Sequence, residues 1–149
     1  MKECIFCKII AGEIPSVKWW ENSDFITILD INPNIKGASL FIPKTHTPSD
    51  LAKANLDIRT KAMADIDKPI QILKKRFNTD RVGVVIEGVG IDHLHFKLYP
   101  LVEYAESNGE SSETIYFEKY PGYLTTKLGP RAINEELNEL GNTLGEEIL

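Results

Sequence analysis

Residue types that build metal and catalytic sites are scarce in this chain: its 149 residues include two cysteines and three histidines. Positive charge is also short, since 17 lysines and arginines face 22 aspartates and glutamates and leave a net charge of −5. That balance argues against a general nucleic-acid binder, which needs a basic surface to displace counterions. No apolar run approaches the roughly 20 residues that span a bilayer, and the first residues, Met1-Lys2-Glu3-Cys4, lack the apolar stretch of a signal peptide. The expectation is a cytoplasmic protein with neither a membrane nor a nucleic-acid polymer as partner. In a reducing compartment, two cysteines spaced as Cys4-x-x-Cys7 point to metal binding or redox chemistry rather than a structural disulfide. There is no internal repeat, and the length fits one domain with a real core.

Two of the three histidines stand one residue apart, in Asp92-His93-Leu94-His95-Phe96-Lys97-Leu98-Tyr99-Pro100. Leu94, Phe96 and Leu98 alternate with His93, His95 and Lys97, the period of a strand. The pattern puts two imidazoles and an ammonium on one face, about 7 Å apart along the chain, and turns an apolar face toward a core. A core would not be built from that polar row. It reads as a site.

Elsewhere the chain predicts a short helix over residues 4–11, stopped by Gly12, then strands over 17–21, 25–30 and 38–42, the last ended by Pro43. Asn55 is suited to cap one long helix reaching Phe77, whose apolar face is Ile58, Ala62, Ile66, Ile70, Leu73 and Phe77. Pro69 is expected to kink it. Lys74-Lys75-Arg76 in its last turn complement the helix dipole from a solvated face. Residues 81–87 form a further strand, and Gly88-Val89-Gly90 turn it into the histidine strand as a hairpin expected at the sheet centre. Residues 103–114 are polar, the composition of a mobile loop. An aromatic stretch follows over 115–124, and 131–147 are expected to form a final amphipathic helix. Trp19, Trp20 and Phe25 serve either a core or a base pocket.

Four short motifs, in this order, carry a resemblance. They are Cys4-Ile5-Phe6-Cys7-Lys8-Ile9-Ile10 with Gly12-Glu13-Ile14-Pro15, then Leu29-Asp30-Ile31-Asn32-Pro33, then Phe41-Ile42-Pro43-Lys44-Thr45-His46, and finally His93-Leu94-His95 with Pro100. Together they resemble the histidine-triad (HIT) superfamily over roughly residues 1–102, with Lys97 standing where the signature has its third histidine. The resemblance implies an α+β fold, a HIT-like antiparallel β-meander sheet with one long helix packed on it and a C-terminal helix. Residues 1–102 would be the HIT core domain, and residues 103–149 an extension packing on the same domain.

The resemblance also implies chemistry. In superfamily members with this Cys-x-x-Cys, zinc is held by positions matching Cys4, Cys7, His46 and His93. Four protein ligands close the tetrahedral shell, so the zinc would be structural. His95 would be the nucleophile, attacking the α-phosphate of a nucleoside phosphoramidate or (di)nucleoside polyphosphate to form a nucleotidyl-histidine that water releases. One ring nitrogen must then be held by a hydrogen bond while the other faces phosphorus. Asp30 would accept the ribose hydroxyls, although a role in capping the Asn32-Pro33 turn is the other reading. The loop before His93 lacks the family's asparagine and Gly-Gln turn, so backbone N–H groups around Gly88 and Gly90, and the Lys97 ammonium, would take over phosphate contact. The implied partner is a nucleotide conjugate, and the implied assembly a homodimer. A nucleotidyltransferase or phosphorylase of the same superfamily, and a nucleotide-binding regulator without turnover, are the alternatives.

Overall fold

The alternating segments become the strands of one antiparallel sheet, in a computed structural model that describes residues 4–102 and 131–146. In chain order the elements are α1 (Ile5–Ile10), β1 (Lys18–Glu21), β2 (Phe25–Leu29), β3 (Ser39–Pro43), α2 (Leu56–Asp65), α3 (Asp67–Phe77), β4 (Val82–Val85), β5 (Phe96–Pro100) and α4 (Asn134–Glu146). The α+β class and the antiparallel sheet agree with the sequence reading. The polar stretch over 103–114 and the aromatic stretch over 115–124 lie outside the described residues.

The sheet order is β1-β2-β3-β5-β4. The first three strands form a meander, with Asn22 turning β1 into β2 by accepting the backbone N–H groups of Asp24 and Phe25. The chain then leaves through the helices and returns as the β4–β5 hairpin, which inserts β5 beside β3. The hairpin is therefore not central as expected: β4 is the sheet edge. Pro43, expected to lie just past the third strand, is its last residue, level with Phe25.

The expected long helix is two. Asn55 caps α2, its side chain accepting the Asp57 N–H, but the helix stops at Asp65 and restarts at Asp67. Pro69 is the cause, acting four residues upstream: it has no N–H for the Asp65 carbonyl and its ring crowds that turn. The apolar stripe is continuous across the break. Ala62, Ile66 and Leu73 are buried in the core, and Ile58, Ile70 and Phe77 pack against it.

One face of the sheet carries that core. Phe25, Leu29, Phe41, Leu94, Phe96 and Leu98 meet α2, α3 and the α4 residues Leu137, Leu140 and Leu144. Trp19 and Trp20 are buried in the same cluster, which settles them and Phe25 as core rather than pocket. Each such side chain contributes about 1.5–3 kcal/mol on burial. The opposite face holds a smaller cluster of Phe6, Ile26, Ile28 and Ile42, with Ile9 and Ile10 of α1 packed over it. The short N-terminal helix thus covers one end of that face, next to β5.

Candidate active site and metal centre

Strand register maps the α1 side of the sheet row by row. Ile28 pairs with Leu40, Leu40 with Lys97, and Lys97 with Val85. One pleat toward α1, the same register sets Ile26 beside Ile42 and brings His95 level with Ile42. One pleat the other way, the Asp30 N–H bonds the Ala38 carbonyl, and Tyr99 pairs with Gly83. Asp30, Leu40, Lys97 and Tyr99 are all partly exposed. They make an accessible floor with His95 at its covered end.

The histidines themselves precede the regular strand, which begins at Phe96. Their alternation survives because the segment is tied down irregularly: the Leu94 N–H donates to the Thr47 carbonyl at 2.8 Å, and Leu94 is wholly buried. His95 is 5% exposed, and its ring lies 5.1 Å from that of Phe6. Its Nδ1–H donates to the His93 carbonyl at 2.7 Å, which leaves Nε2 as the nitrogen with an available lone pair. Burial pushes the His95 pKa below the ordinary imidazole value. The bond to the His93 carbonyl opposes this, the Lys97 ammonium reinforces it, and Glu87 and Asp30 pull the other way. The balance favours the neutral ring.

Lys97 is not a loose surface lysine. Its Nζ sits 2.9 Å from Glu87 Oε2, and both side chains are largely buried, at 15% and 14% exposure. Asp30 keeps one oxygen in a local turn, accepting the Asn32 N–H at 2.8 Å, and also lines a cavity of about 490 Å³ with Lys36, Arg76 and Glu136. Gly88 and Gly90 both have positive φ, 68° and 85°, the left-handed backbone that glycine adopts without strain. The Ser49 N–H donates to Asp92, and its single hydroxyl proton is shared between the Gly88 carbonyl and the Asp92 carboxylate. Those bonds hold the Asp92 carboxyl below its usual range and tie the glycine turn to the segment after His46. Glu87 and Ser49 escaped the sequence reading. The β4–β5 register was the available signal for Glu87: with Val85 opposite Lys97, Glu87 falls level with His95.

Cys4, Cys7, His46 and His93 converge, their ligand atoms all lying within 4.8 Å of one another. Cys4 Sγ and Cys7 Sγ are 3.4 and 3.5 Å from His93 Nδ1, and Cys7 Sγ is 3.4 Å from His46 Nδ1. Metal bonds of about 2.3 Å to sulfur and 2.0–2.1 Å to nitrogen give a tetrahedral S···N edge of about 3.5–3.6 Å. The spacing therefore fits a tetrahedral ion. His93 is completely buried and donates Nε2–H to the Pro43 carbonyl at 2.9 Å, so Nδ1 turns its lone pair toward the sulfurs. Burial depresses the His93 pKa, which favours the neutral ring that ligates. Burial and the neighbouring Cys4 push the Cys7 thiol up, so a compensating cation is what would make its thiolate stable.

The HIT domain family model matches residues 11–101. The chain belongs to the HIT family. Among its relatives is adenosine 5′-monophosphoramidase hnt1 of Schizosaccharomyces pombe, 31% identical over 97% of this chain and 98% of that protein. A second protein named adenosine 5′-monophosphoramidase, from Candida albicans, is 34% identical over 93% of this chain and 94% of its own length. Among solved structures, a HIT-like protein of Bartonella henselae superposes with a TM-score of 0.75 at 26% identity, covering 99% of this chain and 97% of that one. A zinc-bound histidine triad protein of Mycobacterium smegmatis gives 0.67 at 25% identity over 99% of this chain and 94% of its own. A HIT member with this cluster carries a site able to hold a metal ion. Among the described residues no helix is long and apolar enough to cross a membrane.

Proposed function

We propose that this HIT enzyme is a nucleotide hydrolase that attacks the α-phosphate of nucleoside phosphoramidates or (di)nucleoside polyphosphates through His95. The observation that carries the reading is the His95 Nδ1–H bond to the His93 carbonyl, which leaves Nε2 as a neutral nucleophile. The Nε2 lone pair forms the N–P bond, and the bond from phosphorus to the leaving group breaks with its electron pair. A departing amine takes a proton from water. Water then attacks phosphorus, the N–P pair returns to Nε2, and the nucleoside monophosphate leaves. Lys97 would stabilise charge on the phosphoryl oxygens, and N–H groups around Gly88 and Gly90 would assist. Asp30 would receive the ribose hydroxyls with the acceptor capacity its turn leaves over. Relatives named adenosine 5′-monophosphoramidase support this activity class.

Zinc is the metal we assign to Cys4, Cys7, His46 and His93, because two thiolates and two imidazoles suit it. With its shell filled by protein, a bound zinc would supply cross-linking rather than Lewis acidity. The HIT core over 1–102 would carry the site, and the extension would pack on it, as the leucines of α4 do in the shared core. A cytoplasmic homodimer completes the reading. Rapid-quench intact-mass analysis with adenosine 5′-monophosphoramidate is the test, expected to trap a nucleotidyl adduct that maps to His95. His95→Ala should lose turnover and keep nucleotide binding; substantial turnover by clean His95→Ala protein would overturn the assignment.

A further inference from the structure

The surroundings of His95 carry a carboxylate that the proposed reaction does not use. Glu87 lies just past β4, and the register that pairs Val85 with Lys97 sets it level with His95 and diagonal to Lys97. Its Oε2 is 2.9 Å from Lys97 Nζ, and neither side chain is more than 15% exposed. A pair this sheltered is weakly screened and its geometry is held, unlike an exposed lysine contact. Glu87 therefore does two things at once. It fixes the Lys97 ammonium on the floor, and it offsets that ammonium's charge. Asp30, in the neighbouring row of the same floor, adds a second carboxylate beside that pair.

That balance matters for what can leave. Cleavage of a phosphoramidate expels a neutral amine. Cleavage of a polyphosphate expels a phosphate group that carries away the bonding pair on oxygen and adds to charge already present. A lysine held by Glu87 can still point an N–H at the phosphoryl oxygens that both substrates share, but little net positive charge is left for the further charge on a phosphate leaving group. We propose that Glu87 is a positioning and specificity-determining residue, which by holding Lys97 biases the His95 site toward nucleotide conjugates with an uncharged amine leaving group. This rests on the hydrolase reading above and narrows it.

The test is the ratio of kcat/KM for adenosine 5′-monophosphoramidate to that for diadenosine triphosphate, measured on the full chain. The wild type should favour the phosphoramidate. Glu87→Gln, nearly isosteric, should lower the ratio about tenfold by leaving an uncompensated cation for the anionic leaving group. Glu87→Asp keeps the charge and should restore most of the ratio even if both rates fall. Lys97→Gln should move it the opposite way, upward, which a merely structural role for the pair would not do. That variant also decides the matter if Glu87→Gln fails to fold: a ratio that rises supports the proposal, and one that stays or falls overturns it. A folded Glu87→Gln enzyme with the wild-type ratio overturns the role of Glu87 and leaves the hydrolase reading standing. A wild-type chain that turns over neither compound overturns both.

Discussion

Tyr99 shows how a single side chain reports the charge of the site floor. Burial pushes its pKa up to about 12, and the Asp30 and Glu87 carboxylates add to the shift. In the unfolded chain a tyrosine ionises near 10. The raised folded value means that its contribution to stability is whole below about pH 10 and is lost as pH climbs toward 12. The difference in phenolate absorbance between wild type and Tyr99→Phe should therefore titrate near pH 12. A component near pH 10 would count against a half-buried Tyr99 beside two carboxylates. Among single residues, scarcity drew attention to Cys4, Cys7, His46, His93 and His95, but which of them ligate came from the family resemblance and not from their number. Glu87 was not legible. It is one acid among 22 acidic residues, and only the pairing of Val85 with Lys97 singles it out.

Between elements, the contact of α3 with the β2–β3 turn depends on a missing side chain. Gly37 has φ +87°, and a Cβ there would run into the ring of Phe77 at the end of α3. Strain and collision push in the same direction, so Gly37→Ala should destabilise the protein by about 2–4 kcal/mol, read as a lower urea midpoint. In the Phe77→Ala background the collision term should vanish while the backbone strain remains, giving a smaller loss than in the parent. The same region shows why helix number was misread. Apolar spacing from Ile58 to Phe77 continues unbroken through Ile66, whose own φ and ψ stay helical at −63° and −21°. Periodicity records which face is buried, and that face does not change where the ladder is interrupted. The hairpin's edge position was equally hidden, since local turn chemistry says which strands pair and not what lies beyond them.

Across the whole molecule, the cluster of Cys4, Cys7, His46 and His93 joins the first described residues to the segment that leads into β5. Purified protein should hold about one zinc per chain, and a Cys4→Ser, Cys7→Ser double variant should lose the metal together with several kcal/mol of stability. Full zinc occupancy in that variant, by elemental analysis, would refute the ligand set. Synthesis runs in one direction, however, and the site is split along it. Cys4 and His93 are 89 residues apart, so at about 5–20 residues per second a growing chain carries its two thiols for roughly 4–18 s before the buried imidazole is made. During that interval Cys4 and Cys7 have nothing of β5 to close over them. The four-residue cluster can therefore close only after the histidine segment has been made, so the fold's cross-link between its first helix and β5 is one of the last contacts that synthesis permits.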